Sequence, residues 1–191
     1  MLESILELDR QLFLLLNGAH LPWLDPIMKA VSAPYTWLPL YLLLLILFFK
    51  YRPRKQAFLA IAAVLLCFFL TDRISVECFK DVFQRLRPTH EPALAGLVHA
   101  LEGQGGLYGF VSSHAANLFG LATVSCLILR KKWVSIFLFS LVALIGYSRV
   151  YVGKHYPLDV ICGALLGLLI GWLVYRLYRW LCQKYLSPKK H

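Results

Sequence analysis

Apolar residues run through this chain in long stretches separated by short polar or basic punctuation. Five stretches are long enough to be membrane-helix candidates: roughly Pro34 to Phe49, Ala57 to Phe79, Ser113 to Leu129, Trp133 to Tyr147 and Pro157 to Trp180. The first is short for a full span, which a tilt or a thinner bilayer would accommodate. Ahead of them, Glu3, Glu7 and Arg10 share one helical stripe, with Leu2, Ile5, Leu6 and Phe13 opposite. This pattern predicts a helix lying in the membrane interface or dipping partway in. Asn17-Gly18 would end it, and Leu21-Pro22-Trp23 and Asp25-Pro26 read as turns. Lacking a basic start and carrying Glu3, Glu7 and Asp9, the N-terminus does not read as a secretory signal. The expected fold is all-α: a polytopic membrane helix bundle of five to six transmembrane helices with an N-terminal interfacial or re-entrant helix. It forms one domain, with interfacial helices in 1–33, the bundle in 34–180 and a basic tail in 181–191.

Composition agrees. Of 191 residues 59% are hydrophobic and only 16% charged, which is too apolar for an ordinary soluble domain. The net charge of +10 raises the question of nucleic acid, and the distribution of charge argues against it. One cluster is Lys50, Arg52, Arg54 and Lys55; a second is Arg130, Lys131 and Lys132; a third is Arg176, Arg179, Lys184, Lys189 and Lys190. Together they hold 12 of the 20 basic residues and no acid. If the spans alternate in direction, all three fall on one side, which the positive-inside rule makes cytoplasmic. The other side carries residues 80–112 and 148–157. Cys67, Cys78, Cys126, Cys162 and Cys182 form no Cys-x-x-Cys and read as small hydrophobes.

Three polar patches interrupt this apolar background. Arg73, Glu77, Lys80, Gln84 and Arg87 recur at helical spacing, and Pro88 would end that helix. A polar stripe on a membrane helix faces the bundle interior or a watery cavity, although Arg73-Glu77-Lys80 alone would also make a self-compensating ladder. After glycines 103, 105, 106 and 109 comes Ser112-Ser113-His114, where Ser112 suits an N-cap and the free N–H groups of the first turn suit an anion. The third patch is Ser148-Arg149 followed by Lys154-His155 and, four residues beyond His155, Asp159. Pro157 fits the first turn of the last helix. Asp159, Gly163, Gly167 and Gly171 share a face that a neighbouring helix can approach closely. Alternating helices bring the three patches to one membrane face. An Arg can fork onto phosphate oxygens, a His can attack or carry a proton near neutral pH, and an Asp can orient that His.

Lys80-x6-Arg87-Pro88, Ser112-Ser113-His114 and Ser148-Arg149-x5-His155-x3-Asp159 together resemble the three-part signature of the type-2 phosphatidic acid phosphatase superfamily, which also includes vanadium haloperoxidases and glucose-6-phosphatase. The resemblance covers about residues 34–180. The middle part departs, with Val111 and Ser113 where the family usually has Pro and Gly. The resemblance implies a metal-independent lipid phosphatase without cofactors. His155 would be the nucleophile, Asp159 its orienter and His114 the acid and base. Lys80, Arg87, Ser112, Ser113 and Arg149 would bind phosphate. Phosphoryl transfer depends above all on charge neutralisation and positioning, which this residue set would supply. The implied partners are the bilayer and a membrane lipid phosphate, with no nucleic acid. Undecaprenyl diphosphate, phosphatidylglycerol phosphate, phosphatidic acid and lipid A phosphate are the candidates. Arg85 and Lys154 stand as spare cations for a diphosphate. The implied location is the bacterial inner membrane, with the site facing the periplasm or outside. The alternative is a non-catalytic lipid-phosphate binding or transport bundle that keeps the anion pocket. His20, His90, His99 and His191 match no part of the signature and read as surface or interface residues. In the loop from Thr89 to Val111, Leu94, Leu97, Val98 and Leu101 suggest an apolar helical stripe that rests on the membrane and gates lipid entry.

Overall fold

A helix that must bury its backbone polar groups in lipid closes all its hydrogen bonds internally, and the apolar stretches do form helices. The computed structural model describes residues 2–186. In chain order they form α1 (Leu2–Gly18), α2 (Asp25–Ser32), α3 (Leu38–Tyr51), α4 (Arg54–Ile74), α5 (Asp81–Phe83), α6 (Ser113–Leu129), α7 (Lys132–Tyr151) and α8 (Pro157–Tyr185). A 3-10 turn, Pro34–Trp37, runs straight into α3. A π-helical stretch, Ser75–Lys80, joins α4 to α5 as one rod of 30 residues, Arg54–Phe83. That rod, α7, α8 and Pro34–Tyr51 are each long and apolar enough to cross a membrane, and α6 is a fifth apolar helix of 17 residues. Asp25-Pro26, expected as a turn, instead opens α2, with Pro26 in the first turn where its missing N–H costs nothing.

The bundle is organised around α6, whose length is mostly buried. Its closest partner is α8, and the reason is the glycine face read from the sequence. A Cβ at Gly163 would lie 2.5 Å from the Ser112 carbonyl oxygen, and one at Gly171 would lie 2.8 Å from Cβ of Thr123. A Cβ at Gly167 would collide with the carbonyl oxygen of Ala116. In a bilayer such close backbone approach supplies the packing that solvent exclusion cannot.

The basic clusters gather at one end. Arg52 donates to the Ile128 carbonyl, and Arg130 donates to the Tyr175 hydroxyl at 3.0 Å. Lys50 and Lys131 both sit over the Tyr51 ring, and Arg179 over Tyr175. Lys189, Lys190 and His191, the remainder of the basic tail, lie outside the described residues.

Two features add to the sequence reading. First, Ile5 and Leu6 of the α1 apolar stripe are exposed, as on an interfacial helix, while the helix meets the bundle on another line. It docks through Asp9, Phe13 and Asn17, all buried at four-residue spacing. The Asn17 amide donates to the carbonyls of His99, Val150 and Tyr151. Second, the loop after α5 carries no apolar α-helix; two 3-10 turns, Pro88–His90 and Pro92–Leu94, occupy its start. Leu94 and Val98 pack with Phe13, Val150 and Tyr156, and Leu101 packs on the Met28–Tyr151 cluster, leaving only Leu97 of the four outside. Prolines 88 and 92 break the helical run, and the side chains turn inward to bury apolar area.

Gly167→Val should lower the melting temperature in detergent, because overpacking a tight contact costs about 1–3 kcal/mol. Gly106→Ala, with open space around the added methyl, should leave it unchanged. Thermal melts of the two variants check this.

Candidate active site

The end of the bundle opposite the basic clusters is where the three polar patches meet, and each arrives by a different local device. The π-helical stretch adds a residue to one turn, so 3.6-residue spacing fails across it. Arg73 and Glu77 therefore pair with each other at 2.8 Å on the outside, 62% and 58% exposed, and only Lys80 turns inward. The rod ends at Phe83, where Gln84 takes a left-handed conformation with φ 46°. Arg87 thus lies on extended chain, off the helical face expected for it. There Arg87 N donates to the Leu107 carbonyl at 3.0 Å and Gly109 N to the Arg85 carbonyl at 2.8 Å. This pairing ties the glycine-rich loop to the cationic motif.

Ser112 caps α6 as expected, its Oγ accepting from Ala115 N at 3.4 Å. Its own N–H donates to the Asp159 carbonyl at 2.9 Å, fixing the start of α6 on the start of α8. The N–H groups at the start of the helix, including those of Ser113 and His114, have no intrahelical acceptor. Ser113 Oγ accepts from Lys80 Nζ at 2.6 Å and lies 2.7 Å from Ser75 Oγ, so the side chain that replaces the family's glycine anchors a cation.

The third patch wraps the end of α7. Lys154 N and His155 N both donate to the Arg149 carbonyl, at 3.0 and 3.2 Å, through a turn in which Gly153 has φ 81°. A Cβ at Gly153 would meet the His99 carbonyl oxygen at 2.9 Å, so glycine is required by both conformation and space. The turn sets Arg149 beside His155. Asp159 lies in the first turn of α8 and caps it, Oδ2 accepting from Tyr156 N at 3.0 Å.

His155 is 2% exposed and Asp159 0%. His155 Nδ1 stands 3.5 Å from Asp159 Oδ2, and among the described residues it is one of four buried polar side-chain atoms without a hydrogen-bond partner; Arg149 Nε is another. Burial, and then the charges of Arg87, Arg149 and Lys80, hold the His155 imidazole well below its ordinary value, with the Gly109 carbonyl opposing. The ring is neutral at pH 7. The His114 imidazole shares the electrostatic field of Arg149, His155, Lys80 and Arg87. Burial also pulls Arg87 below its usual value, with Asp159 opposing.

The structure thus brings Lys80, Arg87, Ser112, Ser113, His114, Arg149, His155 and Asp159 to one end. It does not leave both spare cations free. Arg85 is tied to Asp159 and Asp9 at 2.8 and 2.7 Å. Lys154 Nζ donates to the Glu102 carbonyl at 3.1 Å and remains beside Arg149 and Arg87. Sequence reasoning missed two acids. Glu102 approaches Arg149 at 3.3 Å and Asp9 holds Arg85. Asp9 could have been found from its four-residue register with Phe13 and Asn17, whereas Glu102 sits in a loop with no periodicity to mark it. Of the other histidines, His20 stacks on His99, whose Nε2 is 3.1 Å from Asp25 Oδ2, and His90 contacts Thr89. Among the described residues no group of three or more His, Cys, Asp or Glu gathers that could hold a metal ion.

Beside the cup, a cavity of about 740 Å³ runs between α3, α4 and α6, lined by residues such as Trp37, Leu44, Val64 and Phe68 and reaching Ser113 and His114. Its walls are almost wholly apolar, with Asp72 and Asn117 near the polar end.

Residues 57–182 match the family model described as the PAP2 superfamily. A Porphyromonas gingivalis protein named lipid A 4'-phosphatase is 40% identical over 186 residues, spanning 94% of this chain and 79% of its own length. A Sulfolobus acidocaldarius undecaprenyl-diphosphatase is 36% identical over 174 residues, 90% of this chain and 79% of its own. The crystal structure of a transmembrane PAP2-type phosphatidylglycerolphosphate phosphatase from Bacillus subtilis superposes with a TM-score of 0.72 at 27% identity, covering 93% of this chain and 88% of that one.

An unfolded His155 takes up a proton near pH 6.5 that the folded site refuses. Its stabilising contribution is therefore fully present above about pH 6.5 and is lost as pH falls below it, by up to about 1.4 kcal/mol per pH unit. Melting temperatures between pH 5 and 8 should fall more steeply on the acid side for the wild type than for His155→Asn.

Proposed function

The chain belongs to the PAP2 superfamily and is a multi-pass membrane lipid phosphatase, and from that premise we propose that it removes phosphate from an envelope lipid through a phosphohistidine on His155. The observation that carries this reading is the convergence of Lys80, Arg87 and Arg149 on a buried, neutral His155 whose Nδ1 faces Asp159. With Nδ1 directed at the carboxylate, Nε2 attacks phosphorus. The three cations balance the charge on the equatorial oxygens, which is the main demand of phosphoryl transfer. Incoming phosphate displaces the Glu102 carboxylate from Arg149 and offers the orphan Arg149 Nε an acceptor. His114, at the head of α6, takes a proton as the phosphate's negative charge offsets the field of Arg149, Lys80 and Arg87, and gives that proton to the departing alkoxide. It then takes a proton from the water that cleaves the N–P bond, releasing inorganic phosphate and restoring His155.

The basic clusters at the far end support a cytoplasmic placement there and a periplasmic or outward-facing site in a bacterial inner membrane. The apolar cavity supports a substrate whose tail stays at membrane depth while its phosphate rises into the cup. Of the two spare cations, the commitment of Arg85 to two carboxylates leaves Lys154 for a second phosphate. With the relative named lipid A 4'-phosphatase, this favours a phosphate monoester of a multi-chain lipid, with undecaprenyl diphosphate, phosphatidylglycerol phosphate and phosphatidic acid as the comparison substrates.

His155→Ala should abolish phosphate release from lipid A 4'-phosphate in detergent micelles and abolish the acid-labile phosphoenzyme trapped by rapid quench. Full activity in this variant would exclude the nucleophile and favour a binding or transport bundle. A second outcome concerns the cavity. Val64→Trp, which fills it, should lower kcat/KM for long-chain lipid phosphates at least tenfold while a short-chain soluble phosphate ester is turned over as before. Equal loss on both substrates would separate the cavity from tail binding.

A further inference from the structure

Arg85 lies outside the three-part signature, yet it is a heavily engaged cation. Nη1 donates to Asp159 Oδ1 at 2.8 Å and Nη2 to Asp9 Oδ2 at 2.7 Å. The guanidinium also lies 4.0 Å from the centroid of the Tyr156 ring. Asp9, from α1, uses its other oxygen to accept from Leu158 N at 2.8 Å. The result is a chain of charges from α1 to α8 in which Asp9 is 6% and Asp159 0% exposed.

A simple interhelical staple would require only opposite charges in contact. This arrangement does more, because it distinguishes the two oxygens of Asp159. The Arg85 fork takes Oδ1, and Oδ2 is left for Tyr156 N and for Nδ1 of His155. A carboxylate held at one oxygen alone can rotate about its last torsion, which has a broad, roughly two-fold profile. The imidazole has an unpartnered Nδ1 and depends on that rotation being stopped.

We propose that Arg85 and Asp9 are positioning residues for His155: Asp9 anchors the guanidinium, the guanidinium pins Oδ1 of Asp159, and Oδ2 is thereby held toward Nδ1 of the nucleophile. The inference rests on the reading of His155 given above. It makes the N-terminal helix a working part of the active site, since Asp9 reaches the site from outside the span that matches the family model.

The test uses the purified full-length protein in detergent, a lipid phosphate monoester and separate determination of kcat and KM for Asp9→Asn, Arg85→Lys and Arg85→Gln. Supporting contacts one step removed from the chemistry are worth roughly 10–100-fold. Asp9→Asn should lower kcat about tenfold and Arg85→Gln by up to about 100-fold. Arg85→Lys, which keeps the charge and loses the fork, should recover part of that loss. KM should stay within about twofold, because Lys80, Arg87 and Arg149 are untouched. The proposal is overturned if all three variants keep the wild-type kcat, if KM rises while kcat holds, or if the loss vanishes once rates are normalised to folded, monodisperse enzyme. His155→Ala in the same series separates the two ideas. An active His155→Ala removes the nucleophile on which the inference rests, whereas an inactive one beside fully active Arg85 and Asp9 variants removes the positioning role alone.

Discussion

A carboxylate cut off from solvent must have its lone pairs met by donors, or the fold will not hold it ionised. Asp159 is in that position, and what satisfies it assembles the site. Its Oδ1 takes Arg85 from the segment after α5; its Oδ2 takes Tyr156 N and faces His155. Its backbone carbonyl takes Ser112 N from the head of α6. One residue therefore ties together the segment that carries the cations, the serine-histidine turn and the segment that carries His155. The small-residue face below it lets α6 lie close enough to α8 for the Ser112 bond to form.

The cations are delivered by irregular backbone. Lys80 turns inward at the end of a π-helical stretch, and Arg87 sits on a short extended segment paired with the glycine-rich loop. Ser113 illustrates the same economy of contacts. Where a glycine would leave the backbone open, its hydroxyl instead fixes Lys80, so that charge is held in place by a side chain.

Adjacent to this charged cup lies a cavity that is almost wholly apolar. The two environments suit the two ends of an amphiphile, and the boundary between them falls at Ser113 and His114. The imidazole of His114 lies at that boundary, between the apolar cavity and the cationic cup. Burial keeps the field of the cations strong, because low dielectric screens little. The same burial keeps His155 neutral.

The helices were readable because hydrophobic length and period are local properties. Ser113–Leu129 has the bounds its sequence suggested, and the segments read at Trp133 to Tyr147 and Pro157 to Trp180 differ only at their ends. The grouping of Lys80, Arg87, His114, Arg149, His155 and Asp159 was also readable, since motif spacing and alternating helices suffice to place them at one end. Three features were decided only by tertiary structure. The π-helical stretch rotated Arg73 and Glu77 away from the face they shared with Lys80, a one-residue change that hydrophobic pattern does not encode. Leu94, Val98 and Leu101 turned inward because α1 and α7 offered them apolar area to cover. Arg85, legible only as a spare cation, found Asp9 and Asp159 instead. The sequence by itself determined which residues are apolar, helical and chemically able. Which charge meets which was left to long-range packing, because an ion pair between residues 76 positions apart in the chain leaves no periodic trace.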